Sequence, residues 1–135
     1  MSGDRADEVE SSDREAFRLE VRSFLEAHAE PRADVDPWVV SGFPDDAEAE
    51  AHFAKGRDWQ ATLADHGWAG ITWPVEYGGR GGDGWMGQIF AAESAQYGSH
   101  AGFVSATISM LGPTLLAWGT EPQKKRFIPP LLRAD

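Results

Sequence analysis

The 135-residue chain has no cysteine, 41% apolar residues, six Trp and seven Phe, enough bulk for one domain with a real core and nothing from which to build a disulfide framework or thiolate chemistry. Its net charge of −10 is uneven: residues 1–66 hold 17 Asp/Glu against 7 Lys/Arg, while residues 67–135 hold 5 of each, which argues against a nucleic-acid partner and reads as a solvated acidic face. No apolar run approaches the ~18 residues of a membrane span, and the acidic, polar residues 1–13 lack the basic start and apolar segment of a signal peptide, so a cytoplasmic protein is expected.

Residues 1–11 are charged and without periodicity, and are expected to form a flexible acidic tail ahead of a domain over 12–135. Ser12-Asp-Arg-Glu15 has the form of a capping box. Phe17, Val21, Phe24, Leu25 and His28 then recur at helical spacing, giving an amphipathic helix that ends near Pro31. Residues 34–46, with Pro37, Gly42 and Pro44, read as a loop anchored by Trp38 and Phe43. A second helix is expected over 47–66, opened by Asp45 or Asp46 and ended by Gly67 in a left-handed cap. His52, Gly56, Trp59, Leu63 and His66 lie on its stripe, with Phe53 beside it.

From Trp68 the periodicity breaks, and residues 77–84 contain five glycines, a turn in which Gly78 or Gly79 is expected at positive φ. A third helix should cover 83–97, ended by Gly98. A small-residue-rich fourth should cover 100–111, where Gly112-Pro113 punctuates the chain before a short helix to Trp118. Thr120-Glu-Pro-Gln123 caps a last helix, with a body over 124–132 that Pro129-Pro130 interrupts. The fold class is all-α, an orthogonal bundle of five or six helices.

Chemistry is sparse in this pattern. Gly79-Arg-Gly-Gly-Asp-Gly84 satisfies G-x-G-x-x-G, but no strand run precedes it, so a tight loop is favoured over a dinucleotide site. The four His (28, 52, 66 and 100) have no metal-ligand spacing and no Cys beside them, which gives no metal site. Ser99 and His100 are adjacent and diverge, so they form no nucleophile–base pair. Glu93 shares a face with Met86, Phe90 and Tyr97 and is expected to be partly buried in a structural hydrogen bond. Trp68, Trp73, Tyr77, Trp85 and Trp118 read as core packing, with only Arg80 nearby to suggest a stacking platform. No catalytic residue is assigned.

The blocks Gly67-Trp-Ala-Gly-Ile-Thr-Trp-Pro-Val-Glu-Tyr-Gly-Gly79 and Gly112-Pro-Thr-Leu-Leu-Ala-Trp-Gly-Thr-Glu-Pro-Gln-Lys124 make the chain resemble, over residues 14–133, the N-terminal helical domain of acyl-CoA dehydrogenases. The resemblance implies a flavoprotein of fatty acid metabolism that removes a proton and a hydride from the α and β carbons of an acyl-CoA thioester and passes the hydride to FAD. It places the catalytic base and much of the flavin contact on a middle β-barrel domain and a C-terminal helical domain that would follow Asp135, and leaves this chain's own flavin contacts unassigned. It implies as partners the acyl-CoA substrate, those two domains and an electron-transfer flavoprotein or similar acceptor, in a homo- or hetero-oligomer. Within this chain it points to the acyl-pocket wall on the helix over 102–111, with Phe103, Ala106, Thr107 and Met110 on one face. A segment of this kind is expected to be inactive alone. A non-catalytic partner subunit or docking module, and the equivalent domain of an acyl-CoA oxidase or related hydroxylase, remain as other readings.

Overall fold

Helix α1 (Ser2–His28) begins ten residues before the expected capping box. In the computed structural model, which describes residues 2–32, 45–98 and 102–135, and side chains within these from 7, 45 and 104 onward, Ser12 is an interior helical residue and caps nothing. Glu10 pairs with Arg14 one turn on, and Glu8 and Glu10 carry good helix-forming side chains. Those local terms extend the helix through a segment with no apolar stripe of its own. The expected loop anchors Trp38 and Phe43, and the Ser99-His100 pair, lie outside the described residues.

Two compact units make up the chain, one of residues 1–32 and 82–98, the other of 33–81 and 99–135. In the first, α1 packs on α3 (Gly84–Ser94), whose N-cap is Asp83. Phe17, Val21, Phe24 and Leu25 are buried at helical spacing on α1, Ile89 is buried on α3, and Phe17 meets Trp85 edge-on with centroids 5.4 Å apart. The helix stops at Ser94 rather than at residue 97. Beyond it the backbone leaves helical pairing for an antiparallel bridge between Pro31 and Tyr97, with Arg32 N donating to Gln96 O and Gly98 N to Glu30 O.

The second unit is built from α2 (Asp46–Asp65), a 3-10 turn (Val75–Tyr77), α4 (Gly102–Trp118) and α5 (Glu121–Arg133). Asp45 caps α2 by accepting from Glu48 N at 2.8 Å, as its position predicts. Ala69, Tyr77, Ile128 and Leu132 form the buried centre, with Leu63, Ala64, Trp73, Leu115 and Leu116 packed around it. Buried Gln60 joins α2 to α5 by donating from Nε2 to Leu132 O at 2.7 Å. Among the described residues there is no strand beyond the single bridge, and the expected all-α class holds.

Both proline breaks expected in this unit are absent. α4 runs unbroken through Pro113, and α5 through Pro129 and Pro130. The amides missing at these positions would have met the carbonyls of Ser109, Lys125 and Arg126, all on exposed residues where water can accept instead. Burial of Ile128 and Leu132 on α5, and packing of Leu115 and Leu116 on α4, then outweigh the local propensity. The capping box at Thr120 forms in full, with Thr120 N donating to Gln123 Oε1 at 2.9 Å and Gln123 N to Thr120 Oγ1 at 3.4 Å.

Candidate functional site

α4 presents two unlike faces. Val104, Ile108, Gly112 and Leu115 follow one another at helical spacing and turn inward, from buried to half-buried. Ala106, Thr107 and Met110 are exposed, Met110 to 71%. Phe103 belongs to the helix by its backbone, and its side chain lies outside the described residues. Three of the four residues nominated from sequence, Ala106, Thr107 and Met110, therefore lie on the outward half of this helix. Small side chains dominate that half, with Ser105 and Ser109 alongside. Leu111, Trp118 and Phe127 are further exposed apolar groups of the same unit, at 52%, 87% and 46%.

A cleft of about 390 Å³ lies at the edge of this face, lined by Phe53 and Arg57 of α2, Val104, Thr107 and Ile108 of α4, and Leu131, Ala134 and Asp135 at the end of α5. Of the nominated residues whose side chains are described, Thr107 reaches it, and Ala106 and Met110 are not among its walls. Phe53, Val104 and Ile108 were not nominated. The four-residue spacing of Val104 and Ile108 carried that signal, and Phe53 stood beside the predicted stripe of α2. Arg57 bridges to the far side by donating from Nε to Ala134 O at 3.2 Å.

The glycine-rich loop is engaged with its own chain. Gly79 N donates to Pro74 O at 3.0 Å, Arg80 N to Gly70 O at 3.1 Å and Gly81 N to Trp73 O at 2.8 Å. A phosphate cradle needs such amides free and a strand to deliver them, and neither is present in this loop. The loop's glycines serve geometry: Gly78 has φ of 97°, and a Cβ on Gly79 would overlap the Trp73 carbonyl. The Arg80 guanidinium stacks 4.1 Å from the Trp68 ring centroid.

Two part-buried polar clusters, centred on Glu93 and Tyr77, hold elements in place. Glu93, with its side chain 7% exposed, accepts from Arg18 Nη1 at 2.8 Å and from Arg22 Nε at 2.7 Å and Nη2 at 3.2 Å. Hydrogen bonding from Arg22, reinforced by Arg18, holds its carboxyl below the ordinary glutamate range against the opposing effect of burial. This is the structural role expected of Glu93. Tyr77 donates its hydroxyl to the Glu121 carboxylate, at 2.8 and 2.9 Å from the two oxygens, and that bond together with burial pushes its phenol up to about 12. Among the described residues no group of three metal-ligating side chains comes together, and no buried side-chain polar atom lacks a partner.

Residues 11–135 match the family description "Acyl-CoA dehydrogenase, N-terminal domain". The chain belongs to the acyl-CoA dehydrogenase family. It is 33% identical over 124 residues to acyl-CoA dehydrogenase FadE26 of Mycobacterium tuberculosis, a match covering 90% of this chain and 28% of that protein. Glutaryl-CoA dehydrogenase of Desulfococcus multivorans is 30% identical over 128 residues, covering 93% of this chain and 30% of its own length. Among solved structures, the ChsE4–ChsE5 complex of Mycobacterium tuberculosis aligns with a TM-score of 0.60 at 30% identity, over 91% of this chain and 28% of the matched one. The chain thus spans less than a third of the length of these relatives, and its all-α architecture is that of the acyl-CoA dehydrogenase N-terminal domain. No helix among the described residues is long and apolar enough to cross a membrane.

Proposed function

We propose that this chain is the acyl-pocket-forming N-terminal domain, over residues 12–135, of a cytoplasmic FAD-dependent acyl-CoA dehydrogenase, and that it is inactive alone. The observation that carries the reading is the outward half of α4, where Ala106, Thr107 and Met110 stand exposed beside small residues while Val104, Ile108 and Gly112 turn inward. Such a face leaves room for an acyl chain, and Phe103 and Met110 bound its length. Flavin contact and the catalytic base belong to other domains of the enzyme in this reading, because the loop amides here are engaged and Glu93 is locked between two arginines. When bound, FAD supplies the hydride acceptor, and this chain supplies shape and exclusion of water from the thioester's tail. An electron-transfer flavoprotein or similar carrier serves as acceptor. The enzyme is an oligomer, a reading supported by the heteromeric assembly of the solved relative.

Two experiments test the proposal. Calorimetric titration of the chain with FAD, with and without an acyl-CoA, is expected to give no tight binding, and a yellow, stoichiometric, active preparation would overturn it. In the complete enzyme, Phe103→Ala is expected to widen acceptance of longer or branched acyl-CoA by about tenfold or more in kcat/KM, since one methylene in an apolar pocket is worth ~10–200-fold. An unchanged chain-length profile would remove Phe103 from the wall.

A further inference from the structure

The indole of Trp73 meets α4 at a position with no side chain. A Cβ on Gly112 would overlap the six-membered ring of that indole at Cη2, Cζ2 and Cζ3. The ring's own position is fixed from behind: Trp73 N donates to Gly70 O at 3.0 Å, its carbonyl accepts from Gly81 N at 2.8 Å, and Gly79 lies directly against that carbonyl. Trp73 also packs, with Leu115 and Leu116 of α4, around the buried centre of Tyr77, Ile128 and Leu132. The spacing between the turn and α4 is therefore set by direct contact of a ring with a helix backbone.

That contact lies on the side of α4 away from the nominated wall. At 100° per residue, Phe103 lies about 180° and Met110 about 160° around the helix from Gly112. The next residue, Pro113, leaves the Ser109 carbonyl without an amide donor, so the helix has one backbone bond fewer in the turn the indole touches. A lateral displacement of this helix section imposed at Gly112 moves its opposite face in the same direction.

We infer that Trp73, through Gly112, positions the outward face of α4 and so sets the depth of the acyl pocket. This rests on the acyl-wall reading above. Trp73 is a positioning residue and has no contact with substrate. Adding a Cβ behind the helix moves the wall toward the chain and favours shorter substrates. Shrinking the indole lets the wall recede and favours longer ones.

The test compares binding of short-chain and long-chain alkyl-CoA thioethers, which cannot be dehydrogenated, to the FAD-loaded holoenzyme by calorimetry. Gly112→Ala is expected to raise the short-over-long ratio of affinities about tenfold, and Trp73→Phe to lower it by a similar factor. The double variant is expected to return toward the wild-type ratio, because the smaller ring accommodates the added methyl. If Gly112→Ala fails to fold, Trp73→Phe alone carries the test. A purely structural contact lowers melting temperature and leaves the ratio fixed, and that result overturns the inference. Met110→Trp separates the two levels: if it leaves the ratio unchanged, the acyl-wall reading falls and takes this inference with it. If it shifts the ratio while the Trp73 and Gly112 variants do not, the inference alone falls.

Discussion

Removing the Glu93 carboxylate probes the bond between α1 and α3 most directly. Three charge-assisted hydrogen bonds converge on a side chain that is 7% exposed, whereas the donating side chains, Arg18 and Arg22, are 34% and 47% exposed. Breaking a fully buried pair costs about 3–5 kcal/mol, mostly because a charge is stranded without water. Here the stranded guanidiniums reach solvent, so Glu93→Gln should cost less, about 1–3 kcal/mol, by urea unfolding at neutral pH. The same substitution should alter the acid limb. The folded carboxyl titrates below its unfolded value of about 4.3, so the unfolded chain binds the proton more tightly. Its stabilisation is then present above that value and is lost as pH falls through the lower folded value. The variant should therefore show a flatter decline of stability below about pH 4.3 than the wild type. A double-mutant cycle with Arg22→Met isolates the pair. A coupling of zero, together with an unchanged acid limb, would show that these bonds merely replace equally good contacts with water.

Gly78→Val should cost about 1–3 kcal/mol, because a β-branched residue must adopt φ of 97°, and wild-type thermal stability of the variant would reject the left-handed geometry. Ile128→Ala, at a fully buried site against Tyr77 and Leu132, should lower unfolding free energy by about 2–5 kcal/mol in urea titration. Ultraviolet titration should find one tyrosinate appearing only near pH 12, absent from Tyr77→Phe. Since the folded phenol holds its proton above the unfolded value of about 10, its contribution to stability is complete below pH 10 and is lost between there and about 12.

Where sequence and structure agree, a local signal decided the outcome. The apolar spacing on α1 and α2, the Thr120 capping box, the Asp45 cap and the left-handed glycine in the turn all depend on neighbours within four or five residues. The disagreements share a cause of longer range. Pro113, Pro129 and Pro130 read as breaks because propensity sees the lost amide, while packing of Leu115, Ile128 and Leu132 with Ala69 and Tyr77, 38 or more positions away, keeps the helices whole. The partners of Glu93 were equally hidden, since Arg18 and Arg22 lie more than 70 residues upstream. That Ala106, Thr107 and Met110 share a face of α4 was visible from the family resemblance together with helical spacing, and all three are exposed. The cleft beside that face was not visible, because Phe53 and Arg57 come from another helix.

The two prolines of α5 also change what that helix is in isolation. Neither can donate to the preceding turn, and the last turn is closed instead by Ala134 N donating to Leu131 O and Asp135 N to Pro130 O. A peptide of residues 119–135 therefore has too few internal bonds to offset nucleation and should be a coil in water, despite its complete N-terminal cap. Helicity in this stretch is then a reporter of assembly: isotopic labels on Ile128 or Leu132 would register the docking of α5 against α2 and the turn, because the segment has no helical state to occupy before that happens.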